Sequence, residues 1–363
     1  MKTLCRLTVA LLTGVGTAVP PSFAQCPSDL NADGRTDGTD LSVVLLHWGA
    51  CSSGESCSGD INDDGLVNGT DLTALLAGWG SCVTVPSWAT LIEAYPDPQV
   101  VHSATLRQSI VATGFAWRVL DTTTQIELVL IPPGTYQRGC SPSQQYSCFD
   151  REFPVHQVTL TQPFYMGRYE VTQAQWQARM GSNPSFFQYA TAEVPASQVS
   201  NRPVEQVSWN MTPGFLAATG MRLPTEAEWE YAYRAGTTTA FHSMPGYSDG
   251  TNDDSLLGTI AWFWTGNCTS GAICQTRPVG GKAGNGFGLH DMSGNVSEWV
   301  HDRLGTYPSA PQTNPTGPAS GTWRVVRGGS WGDDTNGVRS SFRGYGGPEE
   351  TGTFIGLRVA RTP

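Results

Sequence analysis

Apolar residues recur at helical spacing twice near the front of the chain: Leu41, Val44, Leu45 and Trp48, then Leu72, Leu75, Leu76 and Trp79. Steps of three and four place each set on one helix face. Gly49 and Gly80 stop the two runs. One such segment cannot bury its stripe alone, so the two copies are expected to pack face to face. Further on the pattern changes. Ile126 to Ile131 is a short apolar strand ended by Pro132, Pro133 and Gly134, and Val155 to Leu160 alternates apolar with polar, as a strand does. Thr172-x-x-Gln175 and Thr225-x-x-Glu228 are capping boxes, in which the hydroxyl and the third residue satisfy orphan N–H groups. They predict helices carrying Trp176 and Met180, and Trp229, Ala232 and Tyr233, with Gly181 and Gly236 as stops. Elsewhere Gly and Pro interrupt the chain every few residues. The larger part therefore reads as α+β, short helices over irregular sheet and long loops. Residues 83–113 carry Pro86, Pro96 and Pro98 without sustained periodicity and read as a linker.

The two helical stripes each follow an acidic loop, and the loops are 31 positions apart. The first holds Asp29, Asn31, Asp33, Gly34, Arg35, Asp37 and Asp40; the second holds Asp60, Asn62, Asp64, Gly65, Leu66, Asn68 and Asp71. Oxygen side chains at relative positions 1, 3, 5, 9 and 12, with Gly at 6, form the frame of an EF-hand-type calcium loop. Carboxylates packed this densely repel one another until a hard cation offsets the charge. Metal binding then becomes part of folding.

Charge supports that reading. The chain of 363 residues carries −10, and residues 26–82 hold nine acids against one base. Most of the acidity thus lies in the repeat, where cation binding explains it better than solubility does. No basic patch points to nucleic acid. Lys2 and Arg6, the apolar run Leu7 to Val19, and Ser22-Phe23-Ala24 read as a signal peptide over residues 1–24, cleaved near Ala24-Gln25. A lipid anchor at Cys26 is the rival reading, poorly served by Gln25 before it. The apolar run is too short for a membrane span, and nothing later approaches one. The mature protein is expected to be secreted. It would keep eight cysteines, an even number suited to disulfides. Cys26 and Cys57 are equivalent in the repeat, as are Cys51 and Cys82, while Cys140 with Cys148 and Cys268 with Cys274 are close pairs.

The repeat resembles a dockerin, the small double calcium-loop module that binds cohesin domains. The endings Trp48-Gly49-Ala50-Cys51 and Trp79-Gly80-Ser81-Cys82 resemble the GC-type dockerins of exported proteins. The resemblance implies a small all-α pair of loop-helix units over residues 26–82 and a cohesin-like protein partner. It implies one calcium on Asp29, Asn31, Asp33, Asp37 and Asp40, and a second on Asp60, Asn62, Asp64, Asn68 and Asp71. Arg35 and Leu66 would offer backbone carbonyls.

A string of motifs marks the rest: Tyr169-Glu-Val-Thr, Arg222-Leu-Pro-Thr-Glu-Ala-Glu-Trp229, Asn285-Gly-Phe-Gly-Leu-His-Asp-Met-Ser-Gly-Asn-Val-Ser-Glu-Trp299, Arg327-Gly-Gly-Ser-Trp331 and Gly356-Leu-Arg-Val-Ala360. Residues 114–362 resemble the sulfatase-modifying-factor family, whose namesake is formylglycine-generating enzyme. The resemblance implies an irregular, loop-rich fold related to C-type lectins. The family's oxidases turn a sulfatase cysteine into formylglycine, using copper on two cysteines after the Gly-Gly-Ser-aromatic turn. Asp333 and Val338 stand at those two places. Neither supplies the thiolate that Cu(I) prefers, so copper is not expected. Cys268 and Cys274 lie in a different loop at the wrong spacing. The resemblance also implies a structural calcium on Asp291, the carbonyls of Gly294 and Val296, and Glu298. A second family calcium site would need an Asn where Ile260 stands.

Other chemistry is thin. His156, His242, His290 and His301 lack metal-helix spacing, and no nucleophile elbow surrounds Ser293 or Ser330. Arg327, Arg339 and Arg343 would suit an anionic ligand or internal ion pairs, and Trp262, Phe263 and Trp264 a stacked sugar or peptide, or the core. The leading expectation is an exported member of the family that lacks the copper cysteines and binds a peptide or glycan, tethered through the calcium repeat. The rivals are a formylglycine-generating oxidase and a cohesin-docked component of a polysaccharide-degrading assembly.

Overall fold

Capping chemistry starts the first helices where the acidic loops end. The computed structural model describes residues 28–31, 35–51, 57–62, 64–142, 144–264 and 274–363, and the chain divides into two units after Cys82. The leader over residues 1–24, with Cys26, Asp33 and Cys268, lies outside the described residues. In the small unit β1 (Arg35–Thr36) leads into α1 (Gly38–Leu46) and β2 (Gly49–Ala50); β3 (Leu66–Val67) leads into α2 (Gly69–Ala77) and β4 (Gly80–Ser81). Asp37 and Asn68 cap the two helices by accepting the N–H of Thr39 and Thr70. β1 pairs with β4 and β2 with β3, both antiparallel, so each repeat contributes one strand to each pair. The unit expected to be all-α therefore contains two short strand pairs, because the chain leaves each loop extended and finds its counterpart. A disulfide, Cys51–Cys57, ties the end of one repeat to the start of the next, and Cys82 is also disulfide-bonded.

The expected face-to-face burial holds only in part. Val44, Val67 and Leu75 are fully buried, but Leu45, Leu46, Trp48, Leu76 and Trp79 are exposed, the two Trp by 51% and 49%. Helices of about two and a half turns bury one apolar residue each fully, Val44 and Leu75, in the small core. Leu41 packs against it partly buried, while Leu45, Trp48, Leu76 and Trp79 stay outside.

The large unit contains β5 (Ala89–Glu93), α3 (Ala104–Val111), β6 (Arg118–Asp121), β7 (Glu127–Ile131), β8 (Gly134–Arg138), β9 (His156–Leu160) and β10 (Phe164–Gly167). Then come α4 (Gln173–Met180), α5 (Thr212–Thr219), α6 (Glu226–Arg234), β11 (Ala261–Trp262), β12 (Ser293–Gly294), β13 (Ser297–Arg303), β14 (Gln312–Thr313), β15 (Arg324–Arg327), β16 (Gly344–Gly346), β17 (Ile355–Leu357) and β18 (Ala360–Arg361). The main sheets run β18-β10-β7-β6-β5, β16-β15-β13-β17 and β14-β9-β8. Both capping boxes form as read: Thr172 accepts the N–H of Gln175, and Thr225 that of Glu228. Gly181 ends α4 in the left-handed region, whereas α6 ends one residue early, on Ala235. α5 escapes the sequence pattern because Pro213 and Gly214 read as breakers, although Pro fits a first helical turn.

The linker expected over 83–113 is corrected by the structure. β5 is the edge strand of the five-stranded sheet, α3 is capped by Ser103, and Val101 and Ile110 are buried in the main core. Its prolines sit beside short elements, which leave too few apolar positions for periodicity to register. No helix among the described residues is long and apolar enough to cross a membrane.

α6 is buried along nearly its whole length and anchors an internal ion network. Arg343 forks onto Glu226 at 2.6 and 2.8 Å, Arg327 meets Glu230 at 2.7 Å, and Arg339 meets Glu152 at 3.0 Å. These three arginines therefore form ion pairs within the frame. Removing one partner of such a buried pair costs about 3–5 kcal/mol, because a desolvated charge is left alone.

Candidate functional site

Both acidic loops close in the same way. Asp40 is buried and accepts the N–H groups of Leu30 (2.8 Å), Asn31 (3.2 Å) and Asp37 (2.8 Å). Asp71 repeats this with Ile61 (2.9 Å), Asn62 (3.4 Å) and Asn68 (2.9 Å). Burial pushes the Asp71 carboxyl up, but these backbone donors outweigh it and hold it below its ordinary value. Asp71 thus stays an ionised carboxylate where its loop runs into α2. At the opposite end Asp60 is turned inward by the N–H groups of Asp64 (3.1 Å) and Gly65 (2.8 Å). Gly65 has φ +86°, the left-handed conformation expected at the sixth position. Asn62 and Asp64 face one another at 3.0 Å. The donor set is all oxygen and partly ionised, which fits calcium. Of the twelve proposed ligand residues only Asp33 lies outside the described residues, as does Gly34 beside it.

In the large unit Asp291, Gly294 and Val296 lie on the segment through β12 that leads into β13, and Glu298 is the second residue of β13. Asp291, Gly294 and Asn295 have φ of +56°, +82° and +60°. Three left-handed residues within five mark a backbone held against its preference, as at sites that serve a purpose beyond folding. Asp291 is buried; its Oδ2 accepts the N–H of Gly280 at 2.6 Å, while Oδ1 has no partner. Burial pushes its carboxyl up to about 6. Glu298 behaves differently. Arg358 reaches both its oxygens (Nη2 to Oε1 2.7 Å, Nε to Oε2 3.1 Å), and Trp229 Nε1 donates to Oε2 at 2.6 Å. A third carboxylate, Glu170, accepts Asn295 Nδ2 at 2.6 Å and the Val296 N–H at 2.9 Å. Burial and the nearby Asp291 and Glu298 raise it well above the carboxylate range.

Three buried carboxylates therefore lie around one guanidinium, Arg358, which pairs with Glu298 alone. The all-oxygen donor set and the free Oδ1 of Asp291 fit a hard cation. Glu298 fits less well than the sequence suggests, since its lone pairs already serve Arg358 and Trp229. Glu170 was missed as a member of this cluster. The motif Tyr169-Glu-Val-Thr contained it, but 120 residues of chain separate it from the turn it meets.

The turn that corresponds to the family's copper cysteines carries Asp333 and Val338. Asp333 accepts the Ser330 N–H at 2.9 Å and the Ser330 hydroxyl at 2.7 Å. Val338 is fully buried in an apolar cluster with Ala240, Phe241, Leu257, Ile260 and Phe263. The described cysteines of this unit are oxidised: Cys140 pairs with Cys148, and Cys274 is disulfide-bonded. Around the turn lies an aromatic face. Trp331 packs edge-on to Phe187 at 5.7 Å, Phe187 touches Phe186 and Tyr189, and Trp264 donates its N–H to Asp333. Phe186, Tyr189, Trp264 and Phe354 are exposed, whereas Phe263 joins the core. Of the three consecutive aromatics singled out from sequence, only Trp264 faces outward fully, and Trp262 is half-buried under Lys282 at 4.0 Å. His156 and His242 are buried and hydrogen-bonded to carbonyls rather than gathered at a site.

Known proteins place this architecture. Residues 118–363 match the family described as sulfatase-modifying factor enzyme 1-like domain. "Chaperone protein LppX" of Paenibacillus barcinonensis is 32% identical over 293 residues, covering 67% of this chain and 91% of that protein. "Formylglycine-generating enzyme" of Streptomyces coelicolor is 30% identical over 301 residues, covering 68% and 92%. Among solved structures, Treponema denticola variable protein 1 is similar with a TM-score of 0.56 at 27% identity, covering 67% of this chain and 98% of that one. The family match lies wholly within the large unit, and by it the chain belongs to the sulfatase-modifying-factor, or formylglycine-generating-enzyme-like, family.

Proposed function

We propose that this chain is an exported, ligand-binding member of the family without copper oxidase chemistry, tethered through a calcium-dependent dockerin-like module. One observation carries the reading. At the two places where the resemblance calls for copper-binding cysteines, Asp333 is tied to Ser330 and Val338 fills an apolar cluster. A carboxylate and a valine offer Cu(I) nothing it prefers, and the described cysteines of the unit are held as disulfides. The exposed aromatics beside this turn suit stacking of a peptide or glycan. The relatives' names point both ways, since one is called a chaperone and another an oxidase.

The tether rests on the small unit. Two loops with oxygen donors in register, closed by Asp40 and Asp71, would each hold one calcium, with Asp29, Asn31, Asp33, Asp37, Asp60, Asn62, Asp64, Asn68 and the Arg35 and Leu66 carbonyls. The exposed Leu45, Trp48, Leu76 and Trp79 give a repeated apolar surface for a cohesin-like partner. A further calcium would sit at Asp291 with the Gly294 and Val296 carbonyls, Glu298 sharing it with Arg358. Calcium supplies positive charge and geometry there; Asp291 Oδ1 supplies a ready donor.

Copper titration with oxygen uptake, using a cysteine-containing sulfatase peptide, tests the large unit. No tight Cu(I) binding and no formylglycine are expected. Formation of formylglycine by the purified chain would overturn the reading in favour of an oxidase.

A further inference from the structure

A polar cavity opens at the start of α6. Its volume is about 450 Å³, and Arg138, Glu226, Asp302, Arg303, Tyr307 and Arg343 line it together with the loop over 305–318. The loop is held down on the cavity wall: a Cβ on Gly317 would crowd the Asp302 side chain, and one on Gly305 would crowd Pro318.

The charges here do not balance. Arg138, Arg327 and Arg343 all approach Glu226, at 2.7, 3.6 and 2.6 Å. Arg327 also meets Glu230, which Arg234 shares at 2.9 Å. Four buried guanidiniums, which stay charged, thus face two glutamates. Asp302 is the only further acid lining the cavity, and it accepts the Glu226 N–H at 2.8 Å instead of pairing with an arginine. Two of the four are incompletely satisfied, Arg327 at Nε and Nη1 and Arg138 at Nε, and of these only Arg138 lines the cavity. It is 3% exposed, stacks on Tyr307 at 4.4 Å and meets Glu226 at 2.7 Å. Tyr307 is itself sandwiched, with Arg343 at 3.9 Å on it and its hydroxyl donated to Glu226 at 3.1 Å.

We infer that this cavity binds an organic oxyanion of about monosaccharide size, its carboxylate or sulfate completing the pairing of Arg138. A buried positive excess beside an open cavity, with Arg138 and Arg343 in its wall, is what an anion offsets. The volume exceeds that of a bare ion, and Gln312, Asn314 and Thr316 provide polar walls for the rest of the ligand. The site is independent of the copper question and stands whether or not the domain is an oxidase.

Asp302 gives the site a pH signature. Burial, then the negative Glu226, pushes its carboxyl up to about 7, against the opposing pull of Arg138 and Arg343. Arg324 also acts on it, and His156 lies against Tyr307 at 5.0 Å. A neutral Asp302 leaves more uncompensated positive charge, so the anion binds more tightly as pH falls through 7.

The test is calorimetric titration of the full chain with glucuronate, glucose 6-sulfate, inorganic sulfate and neutral glucose. The two sugar anions are expected to bind and glucose not to; the arms separate carboxylate from sulfate. Arg138→Gln is expected to weaken binding about tenfold or more, the scale of a lost charge-assisted hydrogen bond. Asp302→Asn is expected to keep binding and flatten its pH dependence between 6 and 8, about one unit either side of that carboxyl. Absence of anion binding by the wild-type chain, or equal binding of glucose and glucuronate, overturns the inference, as does full affinity in Arg138→Gln.

Discussion

Glu298 stands between two demands, and replacing it by Gln separates them. The side chain accepts from Arg358 at 2.7 to 3.1 Å and from Trp229 at 2.6 Å, and it is one of the proposed calcium ligands. Gln keeps one oxygen, enough for the Trp229 indole, but it removes the charge that Arg358 pairs with. Arg358 would retain only the carbonyls of Gly167 and His290 and the more distant fields of Glu170 and Asp291. Breaking a buried pair from one side costs about 3–5 kcal/mol, and the retained indole bond puts this case near the lower end. The assay is urea unfolding of the full chain followed by tryptophan fluorescence, in chelator and in excess calcium. In chelator the variant is expected to lose about 3 kcal/mol. Calcium at a hundred times its dissociation constant adds about 2.7 kcal/mol to a protein that binds one ion. The small unit contributes equally to both chains and cancels in the difference between their calcium increments. The wild type is therefore expected to gain more from calcium than the variant does. Equal increments would show that Glu298 is no ligand, and a loss below about 1 kcal/mol would refute the ion-pair account as well.

Other outcomes follow from the same geometry. Chelator is expected to lower the helical circular dichroism of the chain and calcium to restore it, an effect lost when Asp40 and Asp71 are both changed to Asn; identical spectra with and without calcium would sink the loop assignment. His242 is buried, and burial holds it down to about 4, so it stays neutral when folded. The unfolded chain takes up that proton near its ordinary value, so the contribution is full above about pH 6.5 and declines as pH falls toward 4, by about 1.4 kcal/mol per unit. His242→Phe should flatten this part of the pH–stability curve. Gly294→Ala is expected to destabilise by about 1–3 kcal/mol, because a Cβ there would overlap the Trp262 carbonyl and φ is +82°; unchanged unfolding in urea would contradict the tight turn.

The repeat loops and the two capped helices of the large unit were legible in the sequence because their signals are local. An oxygen every second position, a Gly at the sixth and a hydroxyl three residues ahead of a Gln or Glu act within one or two turns of chain. The motif string likewise placed the large unit in its family. The spacer over 83–113 was misread since β5 and α3 are stabilised by partners elsewhere: β5 by β6, and Ile110 by the main core. The stripe on α1 and α2 was read correctly as a pattern but not as a fate. Periodicity shows which residues share a face, not how much partner surface exists to cover it.

Charge pairing depended wholly on the tertiary structure. Nothing in the order of residues joins Glu152 to Arg339, Glu226 to Arg138 and Arg343, or Glu170 to Asp291, because each contact closes across about a hundred residues or more. The sequence by itself determined which donor chemistries are present: abundant hard oxygen near the front, and no thiol at Asp333 or Val338. Folding alone decided which charges meet, since burial strips away the water that would otherwise screen each of them.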